Sequence, residues 1–126
     1  MKKIILASLF MLVPILAYSH EMVPTYPKLE PSSYLGIAQT EIGLFNKRRD
    51  VVYYEVGVFD AEWQPIRLVS QYKIIKLSCL ELVKFDVYIP KKEVNRATYI
   101  CSKSRLRGEK GTSTIVSSMI CSKFKD

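Results

Sequence analysis

Cys79, Cys101 and Cys121 are the residues best suited to covalent chemistry in this chain, and their number is odd. In an oxidising compartment that arithmetic gives one disulfide and one leftover thiol, with three possible pairings. Zinc is a poor alternative, because no two cysteines stand in C-x-x-C spacing and His20 is the only histidine. The same histidine is too little for a hydrolytic triad, which needs a base oriented by a third group. His20 could hold copper through an amino terminus and its ring, but a stable site wants a second imidazole. Glu41 and Glu55 can be placed on neighbouring strands as an acid–base pair, although an outward salt-bridging position is the simpler use of both. The five glycines, at 36, 43, 57, 108 and 111, are too dispersed for a phosphate loop. These residues lead us to expect no enzyme, no metal and no cofactor.

Compartment is read from the first twenty residues. Lys2 and Lys3 form a positive start, Ile4 to Ala17 an apolar run, and Ala17-Tyr18-Ser19 a small-residue cleavage site. The apolar run contains Pro14 and falls short of the roughly 20 residues that a bilayer span needs. A cleaved signal peptide over 1–19 is the reading, with an uncleaved anchor as the alternative. The expected mature chain, His20 to Asp126, has 107 residues, enough for one domain. Losing Lys2 and Lys3 leaves 17 basic residues against 12 acidic, a net +5 instead of +7. Basic residues cluster loosely at 47–49, 91–92, 103–107 and 123–125, as a solvated loop surface would. Export and this scatter argue against nucleic acid as a ligand. The chain is expected in the periplasm or secreted, with no stable membrane insertion after cleavage.

The elements that must position these residues are strands. Residues 20–32 carry Pro24, Pro27 and Pro31 and read as an extended arm, since proline cannot sit in a central strand. Ser33–Gln39 reads as a first strand, with Gly36 as a bulge or close-approach point. Gln39–Asn46 and Val51–Asp60 alternate apolar and polar residues and are expected to pair as an antiparallel hairpin across Lys47-Arg48-Arg49-Asp50. A turn over Asp60–Pro65 follows, with Trp63 folded over the sandwich edge or serving as a partner anchor. Further strands are expected over Tyr72–Leu77, Val83–Ile89, Arg96–Ser102 and Thr112–Ser122, the last two flanking a charged loop over 103–111. About seven short strands without a helix-period segment predict an all-β fold, an immunoglobulin-like antiparallel β-sandwich over 33–126.

Two of the cysteines then fall on the two strands of one hairpin. Opposed residues of an antiparallel pair lie about 4.5–5.5 Å apart at Cα, so Cys101 and Cys121 are the expected disulfide. Cys79 is left over, either buried or available for an intermolecular bond. The last strand carries few charges, so Thr114, Val116, Ser118 and Ile120 are expected on an edge open to a partner. Lys103, Arg105 and Arg107, in the charged loop, form the second candidate surface.

The run GLFNKRRDVVYYEVGVFD, the proline-containing turn, KIIKL and LVKFDVYI together resemble the amino-terminal domain of the PapD-like periplasmic pilus chaperones. Asn46, Tyr54, Val56, Val58, Leu77, Phe85 and Val87 fit that family's positions in character and order, over residues 33–122. The resemblance implies an immunoglobulin-like fold and a chaperone-like use of strand addition. The chaperones have two such domains, a basic pair in the cleft and a last strand of large alternating apolar residues. This chain has room for one domain, no match for the basic pair, and a serine-interrupted last strand. The expected function is an exported single-domain chaperone-like or binding protein that adds a partner's strand to a sheet edge. Its partner would be another protein chain, a client or a second copy. The alternative is a structural component of a surface appendage or virion.

Overall fold

Along Ile37–Phe45 the side chains of Ala38, Thr40, Ile42 and Leu44 are buried while Glu41 stays in solvent. Along Tyr53–Phe59 the buried set is Tyr54, Val56 and Val58. Each buried Val, Leu or Ile contributes about 1.5–3 kcal/mol relative to exposure, which makes these two stretches the fixed points of the chain. A computed structural model describes residues 19–69, 73–105 and 117–125. Nine strands occur among them: β1 Glu21–Val23, β2 Glu30–Pro31, β3 Ile37–Phe45, β4 Tyr53–Phe59, β5 Pro65–Ile66, β6 Ile74–Lys76, β7 Leu82–Pro90, β8 Tyr99–Ser104 and β9 Met119–Lys123. A single 3-10 turn, Lys91–Glu93, follows β7.

The fold is an all-β sandwich of two antiparallel sheets. In one, β7 pairs with the whole length of β3, so β1 and β2 share the opposite edge of β3. In the other, β8 runs along β4, β5 and β6 share the far edge of β4, and β9 closes the outside of β8. Placing β1, β3 and β7 in one sheet and β4, β8 and β9 in the other is the strand division of immunoglobulin-type sandwiches. Ile42, Leu44, Tyr54, Val58, Leu77, Ile89 and Ile100 meet between the sheets with almost no exposure.

The expected hairpin between Gln39–Asn46 and Val51–Asp60 does not form. β3 and β4 belong to different sheets, and residues 47–50 carry the chain from one to the other. Alternation reports that one face of a strand is buried. Two strands facing each other across a core give the same pattern as two strands side by side. The separate strand expected at Ser33–Gln39 is likewise corrected: Ile37 opens one continuous strand through Phe45, and Gly36, at φ +74°, turns the chain into it. The penultimate strand begins at Tyr99 instead of Arg96, because the amides of Arg96 and Ala97 bond back to Glu93 in a helical turn.

The proline arm is used on the edge of β3. Ser32 N bonds Ile37 O at 3.0 Å, which makes Pro31–Ala38 a pair whose backbone groups point apart. The missing N–H of Pro31 therefore falls where β3 needs no donor. The turn expected over Asp60–Pro65 is held by Asp60 Oδ1, which accepts from Glu62 N at 3.0 Å and Gln64 N at 2.9 Å. Trp63 sits in that turn, half exposed, stacked on Tyr99 with ring centroids 4.3 Å apart.

Candidate functional site

Cys101 and Cys121 are directly opposed on β8 and β9 and form a disulfide, with Cα atoms 4.0 Å apart. Cys79 is a free thiol and lies exposed in the loop after β6. The bond closes a separation of 20 residues, and a loop of that size stabilises by about 3 kcal/mol on the chain-entropy argument.

Beneath this hairpin lies a buried polar network that composition did not announce. Asn46 is fully enclosed where the chain leaves β3. Its Oδ1 accepts from the Tyr54 hydroxyl at 2.5 Å and from Arg48 N at 2.9 Å, while Nδ2 donates to Val51 O and Leu77 O, both at 2.8 Å. All four hydrogen-bonding positions of the amide are thus used. Burial pushes the Tyr54 hydroxyl up to about 12, so it stays a donor. His20 is closed from solvent against the Tyr54 ring, 4.5 Å between centroids. Its Nε2 lies 3.1 Å from Ser102 O and 2.8 Å from Ser102 Oγ, and its Nδ1 3.3 Å from Ser118 Oγ. A carbonyl can only accept, so Nε2 carries the proton and Nδ1 accepts from Ser118. Burial lowers the His20 pKa, opposed by the Ser102 backbone bond and assisted by the positive charge of Arg48. Such a ring ties β8 to the chain entering β9. No three His, Cys, Asp or Glu side chains gather as a metal site among the described residues.

The sequence-based candidates fall in several places. Thr114, Val116 and Arg107 lie outside the described residues. Ser118 is inside the network: its amide donates to Ser104 Oγ at 2.8 Å, its carbonyl accepts from Ser104 N at 2.9 Å, and Arg48 Nη1 reaches its hydroxyl at 3.5 Å. Ile120 is half-buried against the core. Lys103, expected in a loop, is the outward residue of β8 between buried Ser102 and Ser104. A charged residue facing solvent from a strand reads locally like loop composition. Arg105 follows the strand and pairs with Glu55 at 2.6 Å. Glu41 and Glu55 lie on different sheets, so the imagined carboxylate pair does not exist.

Among the described residues β9 pairs only with β8 and ends its sheet, as expected of the last strand, and β7, paired only with β3, ends the other. Lys91 N bonds Gly36 O and Asn46 N bonds Glu81 O at the two ends of the β3–β7 ladder. With the register of that ladder, Val83, Phe85, Val87 and Ile89 direct their backbone groups to β3. Leu82, Lys84, Asp86 and Tyr88 direct theirs outward. Tyr88 O accepts from Val69 N at 2.8 Å, and among the described residues nothing else covers this edge. Beside it, Leu82 is 53% and Leu80 71% exposed. On the outer face, Val23, Leu82 and the stem of Lys84 converge over Gly43, where an added Cβ would come within 2.8 Å of Val23 Cγ2. Glu41 and Asp86 stand opposite each other on that face, both exposed. Alternation made Val83–Ile89 legible as a strand. Which strand ends a sheet depends on pairing, which alternation does not carry. No family model matches the chain, and no curated protein or solved structure matches it either.

Proposed function

We propose that this chain is an exported binding protein that accepts an extended segment of a partner chain on the outer edge of β7. The observation that carries the reading is the run of outward backbone groups at Leu82, Lys84 and Asp86 that have no partner among the described residues, flanked by exposed Leu80 and Leu82. Unpaired strand edges are templates for another strand, in which main-chain bonds supply affinity and alternate side chains supply selectivity. Glu41 and Asp86 add selectivity, because a Lys or Arg on the incoming strand relieves two like charges directly opposed. Export is supported by the signal-like first nineteen residues and by the intramolecular disulfide. The resemblance to pilus chaperones agrees with strand addition as the mode.

Two proline substitutions on neighbouring residues test it. Asp86→Pro removes an outward donor and Phe85→Pro an inward one. Peptides selected from an extended-segment library on the mature protein supply the partner. Asp86→Pro should stay folded by circular dichroism and bind these peptides at least ten-fold more weakly, while Phe85→Pro should unfold. Selected peptides that bind Asp86→Pro as well as the parent protein overturn the reading. Concentration-dependent dimerisation abolished by Asp86→Pro, without peptide binding, would instead make the edge a self-assembly surface.

A further inference from the structure

Away from the β7 edge, two adjoining hollows of about 370 and 280 Å³ open where the arm, the turn after β7 and the end of β9 meet. They share Leu29, Val94 and Asn95 as a common wall. The larger is rimmed by Lys28, Lys123 and Lys125 and includes no acidic residue in its lining. None of these three lysines forms an ion pair among the described residues. The smaller continues over Pro31 and the buried face of Ala38, with Lys91 and Glu30 at its margin. Leu29 and Val94 pack on the core from below while remaining part of the open wall. A bond from Lys125 N to Pro27 O, 2.9 Å, fastens the arm to the carboxy-terminal strand and fixes the lysine end of the groove.

We infer that this groove binds an anionic amphiphile, an acyl chain bearing a carboxylate or phosphate head. Its two ends differ in the way such a molecule does. Three lysines without an ion pair among the described residues attract a compact anion at one end, and the apolar wall beyond them gives a chain somewhere to leave water. The volumes fall about where small-molecule sites lie. A polyanion such as nucleic acid or a sulfated glycan would need the positive charge to continue along its length, and the smaller hollow offers one lysine, Lys91, and one glutamate, Glu30, among Leu29, Val94, Pro31 and Ala38. The site shares no residue with the β7 edge.

Calorimetric titration with laurate below its micelle concentration tests this on the mature protein. Saturable one-to-one binding is expected, at least ten-fold tighter than acetate, inorganic phosphate or dodecyltrimethylammonium, and tightening with chain length. The exposed-residue double variant Lys28→Glu/Lys123→Glu should keep its circular dichroism and lose at least ten-fold in laurate affinity. Asp86→Pro should bind laurate normally, which separates this site from strand addition. Phosphatidylglycerol vesicles as a second arm distinguish a free amphiphile from a membrane surface: binding to vesicles without binding to monomeric laurate overturns the inference. So does an absence of saturation, equal affinity for the cationic detergent or for phosphate alone, or indifference to the charge reversal.

Discussion

The Tyr54 hydroxyl donates to Asn46 Oδ1 at 2.5 Å in the interior of the sandwich, joining the end of β3 to the start of β4 across the two sheets. Tyr54→Phe removes one bond and leaves Asn46 Oδ1 with Arg48 N, so it should cost about 1 kcal/mol. Asn46→Ala strands the hydroxyl, the Arg48 amide and two carbonyls, and should cost about 3 kcal/mol or more. Urea unfolding of the two single variants and the double variant checks both values. A double variant that loses the full sum of the singles would mean the pair does not act together.

His20 makes stability depend on pH. Its folded pKa lies below the ordinary value of 6.5 because burial disfavours the charged ring. The unfolded chain therefore binds the proton more readily, and stability falls as pH drops through about 6.5 toward the folded value. Above that window the effect vanishes. The Asp50 carboxyl, held low by its bond from Arg48, and the Asp60 carboxyl, held low by Gln64 N, act only at more acidic pH. The urea midpoint should drop between about pH 7.5 and 5.5, and His20→Gln should flatten that slope. An unchanged slope in the variant contradicts the assignment.

Peptide mapping without reduction should recover Cys101 joined to Cys121 and Cys79 as an accessible thiol. Cys101→Ser should cost about 2–5 kcal/mol, the usual loss for a native disulfide in a small secreted domain. Cys79→Ser should leave the unfolding midpoint within error. A linkage through Cys79 would contradict both statements.

Secreted material should begin at His20 or just before it by intact mass. A later cut would remove the ring that bonds Ser102 and Ser118, leaving a buried gap among polar groups. Full-length chain recovered in membranes would revive the uncleaved anchor.

The β-sandwich class and the Cys101–Cys121 pair were legible because both rest on local signals. Alternation marks the strands, and two cysteines on one hairpin face each other at bonding distance. Pairing between distant strands is not legible in alternation, which joins β3 to β4 where the chain in fact crosses between sheets. The roles of His20 and Asn46 were equally hidden. Neither belongs to a spacing motif, and each acquires its meaning only from Ser102, Ser118, Tyr54 and Leu77, brought in from elsewhere in sequence. Alternation over Val83–Ile89 puts Lys84 and Asp86 on a solvent face, but only the pairing shows that β7 ends its sheet.

Amide hydrogen exchange along β7, measured residue by residue on the mature protein with and without a selected peptide, tests strand addition most directly. In the free protein Val83, Phe85, Val87 and Ile89 should be protected, while Lys84 and Asp86 exchange quickly. Bound peptide should slow Lys84 and Asp86 by at least ten-fold and change the inward residues little. Protection of Lys84 and Asp86 in the free monomer, or exchange there that the peptide does not alter, would contradict β7 as the edge that takes the partner.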